Sequence, residues 1–316
     1  MNKIRGRFAP SPSGEMHLGN AWTALLAWLQ VRSLGGRMVL RMEDLDPERS
    51  RPEYAGQIIR DLHWLGLDWD EGPDRGGPYR PYSQNERRGL YQEFLDSLTE
   101  RGLVYPCYCT RAEILAAASA PHGGENPYPG TCRFLSLQER ESRQAQGRRP
   151  ALRLVVPCEP VAFDDGLHGH MEENLAAACG DFTVRRSDGV HAYQLAVVID
   201  DATMHISHVL RGADLLASTA RQLLLYRLFG FTPPRFTHVP LLISPDGHRL
   251  SKRQQDLSLA ALRAGGVTAR EIIGYLAWKA RLSDDATPLA AGELIGRFDL
   301  SRLPTEPVVV EFPAGC

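Results

Sequence analysis

The stretch that decides the fold is Gly6-Arg-Phe-Ala-Pro-Ser-Pro-Ser-Gly-Glu-Met-His-Leu-Gly-Asn20. It begins with a short apolar segment and then crosses prolines and a glycine, which the interior of a helix does not accommodate. It continues into apolar residues at the spacing of one helical face. These are Leu18, Trp22, Leu25, Leu26 and Leu29. The order predicts a strand, a tight loop and a helix N-terminus.

The turn at His17 and Gly19 has the composition of a phosphate-binding site. Backbone N–H groups at a helix N-terminus point outward and favour anions. A glycine lets a flat group such as a purine approach the backbone closely, and a histidine can donate to phosphate oxygens. For an isolated His-x-Gly motif, the alternative is a plain strand-to-helix connection in which His17 only caps the helix.

The overall composition excludes several classes of protein. The chain has 316 residues, is 43% hydrophobic and carries a net charge of −2. It can bury a sizeable core, and any nucleic-acid site must be a local basic patch. Its apolar runs are too short to span a bilayer, its N-terminus lacks the pattern of a signal peptide, and six cysteines do not make a disulfide scaffold in a chain of this length. We expect a cytoplasmic protein with one metal site and, because no interface stripe is evident, a monomer.

Beyond the first helix, strand and helix patterns alternate. Residues 37–42 are typical of a buried strand, Ser50 and Glu53 of a capping box that begins the next helix, and residues 84–101 of a further helix. Because Ser50 supplies the cap in this interpretation, Glu43 at the end of the strand remains available for a ligand. The alternation predicts an α/β fold with a parallel, doubly wound, Rossmann-like sheet.

Residues 105–181 interrupt this alternation and are interpreted as an inserted α+β subdomain. The alternation resumes at 182, and residues 193–199 are predicted to form a buried strand. We therefore expect residues 1–104 and 182–253 to be two halves of one domain, followed by a helical region over residues 254–316.

The inserted region contains three thiols, in Cys107-Tyr-Cys109 and at Cys132, on either side of a Gly/Pro-rich loop. Structural zinc usually has four ligands, and the chemistry of the residues alone favours His122 as the fourth. Unrelated core cysteines are the alternative.

The insert also carries a run of arginines that is a candidate phosphate-contact patch or, alternatively, a solvated helix face. The run contains Arg133, Arg140, Arg143, Arg148 and Arg149.

A second basic motif, Arg249-Leu-Ser-Lys252, follows a predicted strand and a Pro-Asp-Gly turn. Together with His17-Leu-Gly-Asn20, it resembles the two ATP elements of class I glutamyl-tRNA synthetases, HIGH and KMSKS. Lys252 stands at the second lysine of the KMSKS loop, while Arg249 replaces the first lysine with the same charge and a different geometry. The resemblance implies catalytic roles for His17, Gly19 and Lys252, and ATP binding with Mg²⁺. The implied ATP-binding residues are His17, Gly19, Asn20, Arg249, Ser251 and Lys252.

The same resemblance extends to the segments that hold glutamate in this family. Glutamate needs cationic donors for its two carboxylates and an acidic group for its ammonium. Arg7, Glu43, Tyr193 and Arg211 meet that need, and each lies near a predicted strand end, where doubly wound folds bind ligands. The implied glutamate-binding residues are Arg7, Phe8, Ala9, Pro10, Ser11, Glu43, Tyr193 and Arg211.

Two features resemble a short branch of the family, the glutamyl-Q tRNA(Asp) synthetases. That branch holds zinc with three cysteines and a tyrosine, which implies Cys107, Cys109, Tyr128 and Cys132 as ligands, with His122 as the rival fourth ligand. Too few residues follow Lys252 for the helical anticodon-binding domain of the longer enzymes.

The resemblance to this branch implies a tRNA modification. The enzyme would activate glutamate with ATP and transfer it to the queuosine base in the anticodon of tRNA(Asp). One alternative is a truncated glutamyl-tRNA synthetase that charges the 3′ end of tRNA(Glu). The other is a non-catalytic paralogue that binds RNA or glutamyl-adenylate without turnover.

Overall fold

The structure is a computed structural model that describes residues 4–117, 127–248 and 258–311. Its strands are β1 (Arg5–Phe8), β2 (Arg37–Leu40), β3 (Val104–Cys107), β4 (Ala151–Leu154), β5 (Val161–Asp165), β6 (Gly169–Glu173), β7 (Phe182–Arg185), β8 (His208–Gly212), β9 (Arg235–Val239), β10 (Leu242–Ile243) and β11 (Val308–Val309). Its α-helices are α1 (Leu18–Ser33), α2 (Pro52–Trp64), α3 (Arg88–Glu100), α4 (Arg111–Ala117), α5 (Leu137–Ala145), α6 (Leu175–Ala178), α7 (Tyr193–Thr203), α8 (Thr219–Phe229), α9 (Leu259–Ala264) and α10 (Ala269–Lys279). Short 3₁₀ helices cover Gln84–Arg87, Ala213–Ser218, Ala291–Arg297 and Leu300–Arg302.

The central sheet is parallel, with the strand order β2-β1-β8-β9. Strand β1 is buried along its whole length, as expected for a parallel sheet covered on both faces. Helix α1 connects β1 to β2, and its predicted apolar face is buried in the core. The predicted Rossmann-like α/β architecture is confirmed, and the carboxyl ends of β1 and β8 meet at one edge of the sheet.

The inserted region contains an antiparallel sheet of β3, β4 and β7 and a hairpin of β5 and β6. Strand β7 pairs with β4, so the strand at Phe182 extends the inserted sheet and does not resume the central one as expected. The predicted strand at residue 182 is confirmed, but its own residues do not indicate which strand it pairs with. The domain boundaries stay a prediction.

The β5–β6 hairpin lies against the central sheet. At its turn, the Gly166 N–H donates to the carbonyl oxygen of Phe236 on β9 at 2.9 Å. The close approach favours glycine, because a Cβ at residue 166 would lie 2.5 Å from Thr237 Oγ1 and would force that side chain to shift. The inserted hairpin therefore contacts the outermost strand of the central sheet directly.

Two local predictions were wrong. Residues 193–199 lie within helix α7 and not in a strand, because a short apolar run is compatible with either structure when its surroundings bury it. Helix α2 has Arg51 as its N-cap, with Pro52 at its first position and no side-chain cap, so Ser50 does not form the expected capping box. The inference that Ser50 leaves Glu43 available therefore loses its basis, and the position of Glu43 must support its role directly.

Near the end of the described chain, β11 pairs in parallel with β10, with Leu242 opposite Val308 and Ile243 opposite Val309. The sequence did not predict this strand. Over the residues that the structure describes, no helix combines the length and the apolar composition needed to cross a membrane.

A cluster of buried charges joins the central sheet to α7. Asp200 on α7 accepts hydrogen bonds from Arg87 Nε at 2.6 Å, from Gln84 Nε2 at 2.8 Å and from the Tyr91 hydroxyl at 2.9 Å, and Arg41 Nε lies 3.5 Å away. Asp200 and Arg41 are fully buried. Removal of one member of such a cluster leaves uncompensated charge in a low-dielectric interior.

We expect Asp200→Ala to lower the free energy of unfolding by about 3–5 kcal/mol, because it deprives two buried guanidinium groups of a carboxylate. The melting temperature, followed by circular dichroism, should fall by about 5–8 °C. Asp96→Ala on the exposed face of α3 is the matched control and should change stability by no more than about 0.5 kcal/mol. Equal losses in the two variants would contradict the prediction.

Candidate active site

A cleft of about 430 Å³ opens at the edge of the sheet where β1 and β8 end. It brings together every predicted glutamate-binding residue and the predicted ATP-binding residues at the start of α1. The predicted residues that line it are Arg7, Phe8, Ala9, Pro10, Ser11, His17, Gly19, Asn20, Glu43, Tyr193 and Arg211. The remaining predicted ATP-binding residues, Arg249, Ser251 and Lys252, lie outside the described residues, as does the alternative zinc ligand His122.

His17 is both a helix cap and a residue of the cleft. Its Nδ1 accepts a hydrogen bond from the Gly19 N–H at 3.1 Å, and its own N–H donates to Asn20 Oδ1 at 3.0 Å, which completes a capping box. A Cβ at Gly19 would lie 2.9 Å from His17 Cε1, so a side chain there would displace the ring. The capping role weighed as the alternative is therefore present, and it orients the imidazole in the cleft wall.

Glu43 is held beside Arg7 by a chain of buried ion pairs. Arg41 Nη2 donates to Glu43 Oε1 at 3.1 Å, and Arg41 Nη1 donates to Asp201 Oδ1 at 2.7 Å. Arg7 Nε lies 3.4 Å from the other oxygen of Asp201. Burial raises the pKa of Glu43, while Arg41 and Arg7 oppose this shift. An incoming ammonium group would favour the ionised form of Glu43 further.

Arg211 on β8 is held by neutral acceptors. Its Nε donates to His238 Nε2 at 2.8 Å, its Nη1 to Gln222 Oε1 at 2.7 Å and its Nη2 to Thr219 Oγ1 at 2.9 Å. Within the described chain no carboxylate forms an ion pair with Arg211, although only 3% of the residue is exposed. Burial, followed by the nearby Arg7, lowers the pKa of Arg211. The site therefore retains a positive charge that a bound carboxylate can compensate.

Tyr193 lines the same cleft from the first turn of α7. Burial and, next, the charge of Glu43 raise its pKa to about 12. The phenol therefore stays protonated near neutral pH and can donate a hydrogen bond to a bound carboxylate.

The sequence analysis missed the residues that connect these groups. Arg41 and Asp201 lie at the centre of the ion-pair chain, and neither was singled out as a site residue. A signal was present for each. Arg41 precedes Glu43 by two residues and so lies on the same face of an extended segment, and Asp200-Asp201 is an acidic pair within an apolar run.

The three predicted thiols cluster in the inserted region. The sulfur atoms of Cys107, Cys109 and Cys132 all lie within 4.8 Å of one another. The Tyr128 hydroxyl lies 3.2 Å from Cys107 Sγ and 3.7 Å from Cys109 Sγ, and accepts the Cys132 N–H at 3.0 Å. Such separations fit ligands that share a zinc ion, whose bonds to sulfur are about 2.3 Å long.

The arginine run lies beside this cluster and is only partly available to a ligand. Arg148 pairs with Glu113 at 2.9 Å, and Arg133 lies 3.8 Å from Asp181 and 5.5 Å from the ring of Phe134. The Phe134 side chain is 86% exposed. Because Arg148 already has a carboxylate partner, it is less available to a phosphate group. The phosphate-contact patch stays a prediction.

Comparison with known proteins gives consistent results. Two relatives named glutamyl-Q tRNA(Asp) synthetase are similar to the chain. The one from Nitratidesulfovibrio vulgaris is 54% identical over 97% of this chain and 95% of its own length. The one from Symbiobacterium thermophilum is 56% identical over 96% of this chain and 94% of its own length.

Among solved structures, a glutamate tRNA ligase from Elizabethkingia meningosepticum in complex with its amino acid superposes with a TM-score of 0.85. It is 29% identical, and the match covers 98% of this chain and 67% of the ligase. The family model described as tRNA synthetases class I (E and Q), catalytic domain, matches residues 3–302. The chain therefore belongs to the class I tRNA synthetases of the E and Q type, a family of aminoacyl-tRNA-forming ligases.

Proposed function

We propose that the chain activates L-glutamate with ATP and transfers the glutamyl group to the queuosine base in the anticodon of tRNA(Asp). The observation that carries the amino-acid part is the charge pattern of the cleft, in which Arg7 and Arg211 supply two cations and Glu43 one anion. Glutamate has the complementary pattern of two carboxylates and one ammonium. The RNA part is supported by the names of the two relatives that share more than half of their residues with this chain.

In this proposal Arg7 and Arg211 bind the two carboxylates of glutamate, and Glu43 accepts hydrogen bonds from its ammonium group. The Tyr193 hydroxyl donates a hydrogen bond to a carboxylate oxygen, and residues 8–11 form the wall beside them. Because these groups are fixed by buried partners, the substrate carboxylate would be oriented before reaction, which lowers the entropic part of the barrier.

ATP would lie at the N-terminus of α1, where His17, Gly19 and Asn20 face the cleft. The glutamate carboxylate attacks the α-phosphorus, a carboxyl–phosphate bond forms, and pyrophosphate leaves. Mg²⁺ would come with the ATP phosphates and would offset their charge. We assign Lys252, with Arg249 and Ser251, to the stabilisation of the leaving pyrophosphate.

In the second step, a hydroxyl of the cyclopentenediol ring of queuosine attacks the activated carbonyl carbon. An ester forms, the hydroxyl proton is released to solvent, and AMP leaves with the electrons of the broken bond between the carbonyl carbon and the phosphate oxygen. We propose that the enzyme acts as a monomer and in the cytoplasm, where its RNA substrate is found.

We also propose that Cys107, Cys109, Tyr128 and Cys132 hold one structural zinc ion. The proposal is supported by the convergence of three thiols and a phenol from β3 and from the segment at 128–132. Such an ion would tie these two segments together, in a subdomain whose own apolar cluster is small.

The acceptor is tested by transfer of radiolabelled glutamate to three purified RNAs: tRNA(Asp) with queuosine, tRNA(Asp) with guanosine at the same position, and tRNA(Glu). We expect label only on the RNA that contains queuosine. Label on tRNA(Glu) would instead favour a charging enzyme, and label on no RNA in a protein that still activates glutamate would contradict the transfer step.

The activation step is tested by glutamate-dependent exchange of pyrophosphate into ATP without RNA. We expect exchange by the wild-type protein and a loss of about 100-fold in Lys252→Ala, because one stabilising donor of the transition state is removed. Lys279→Ala is the matched control, since Lys279 lies over the rings of Tyr275 and Trp278 on α10 and does not line the cleft. Absence of exchange in the wild type would favour a non-catalytic paralogue.

The metal site is tested by elemental analysis of the purified protein. We expect about one zinc per chain in the wild type and a large loss in Cys107→Ala, because a structural site depends on all of its ligands. Cys158→Ala should retain the metal, since Cys158 is exposed and is not a member of the cluster. Equal zinc in both variants would refute the assignment.

A further inference from the structure

Asp165, at the end of the inserted hairpin strand β5, reaches Arg211 through one histidine. Asp165 Oδ2 lies 2.6 Å from Nδ1 of His238 on β9, and His238 Nε2 lies 2.8 Å from Nε of Arg211 on β8. The side chains of Asp165 and His238 are fully buried. Three elements that are distant in sequence therefore form one hydrogen-bonded line that ends at the wall of the cleft.

The donors and acceptors along this line allow one arrangement of protons. Arg211 Nε can only donate, so His238 Nε2 must offer its lone pair. The imidazole proton then lies on Nδ1 and is donated to the Asp165 carboxylate. Burial also lowers the pKa of His238, which favours the neutral ring that this arrangement requires.

We propose that Asp165 and His238 are positioning residues for amino-acid recognition: Asp165 selects the Nδ1–H tautomer of His238, and His238 in turn fixes the guanidinium of Arg211 toward a substrate carboxylate. This inference rests on the proposed function, because it assumes that Arg211 binds glutamate. It assigns a role in the substrate site to a residue of the inserted hairpin.

The histidine between the two charged groups matters for the electrostatics of the site. A carboxylate in direct contact with Arg211 would hold the guanidinium equally well, but it would also compete with the substrate for the same positive charge. Neutral His238 fixes the orientation while leaving the charge of Arg211 to be compensated by the ligand. The other acceptors of Arg211, which are Gln222, Thr219 and the carbonyl oxygen of Leu215, are also neutral.

The substitution Asp165→Asn tests the tautomer with little change of shape. Asp165 Oδ1 accepts the backbone N–H groups of Leu167, His168 and His238 at 3.0, 3.1 and 3.3 Å. In the variant these three donors keep the amide oxygen at that position, so the amide nitrogen faces His238 Nδ1. Nδ1 must then accept, the ring proton moves to Nε2, and Arg211 Nε meets a donor instead of an acceptor.

The measurement is glutamate-dependent pyrophosphate exchange, with KM determined separately for glutamate and for ATP. We expect Asp165→Asn to raise the KM for glutamate by about 10-fold and to leave the KM for ATP unchanged, as the loss of one hydrogen bond to a charged group predicts. Asp164→Asn is the matched control. It is the preceding residue of β5, its side chain is 86% exposed, and within the described part of the chain it pairs with the exposed His170.

A second variant separates positioning from general damage to the fold. In His238→Gln the amide oxygen can accept from Arg211 Nε without help from Asp165. If Asp165 acts through the tautomer, Asp165→Asn should add no further increase in the glutamate KM when His238 is already glutamine. A purely structural role would make the two effects additive.

If Asp165→Asn does not fold, the wild-type protein still decides the question. Nuclear magnetic resonance of isotope-labelled histidine, with His238→Gln used for assignment, reports which ring nitrogen carries the proton. We expect the Nδ1–H tautomer, and an Nε2–H ring or an imidazolium would overturn the proposal. An unchanged glutamate KM in a folded Asp165→Asn protein would overturn it as well, whereas a wild type without any exchange would count against the proposed function instead.

Discussion

Arg41 is completely buried, and the site depends on how its charge is satisfied. Asp200, Asp201 and Glu43 surround it and raise its pKa well above the usual value, although burial alone would lower it. Because these carboxylates come from α7 and from the segment after β2, the ion pairs fix the helix to the sheet edge. Asp201 also contacts Arg7, so the same interaction positions two groups that face the cleft.

The two cleft arginines are supported in different ways. Arg7 has a carboxylate neighbour in Asp201, whereas Arg211 has only uncharged hydrogen-bond partners among the described residues. A buried guanidinium without a counter-charge is costly in the absence of ligand. Its position in the wall of the cleft supports the proposed binding of a ligand carboxylate, which would recover part of that cost.

The sequence predicted what is local and missed what depends on distant partners. The loop and helix from Gly6 to Asn20 were recognisable because proline, glycine and helical spacing act within a few residues. Tyr193 lines the cleft together with the other predicted residues, but it was assigned to the wrong type of element, because a short, mostly apolar run does not distinguish helix from strand. The pairing of β7 with β4 and the contact of Asp201 with Arg7 could not be predicted, because the local sequence around each residue does not indicate its distant partner.

The contact between the inserted hairpin and β9 limits how the inserted region can be exchanged between relatives. A Cβ at residue 166 would press against the Thr237 side chain of β9, and Asp165 has its partner, His238, on the same strand. A chimera that replaces residues 105–181 alone would separate a donor from its acceptor at a buried boundary. A replacement segment that keeps this buried pair intact therefore has to include β9 as well.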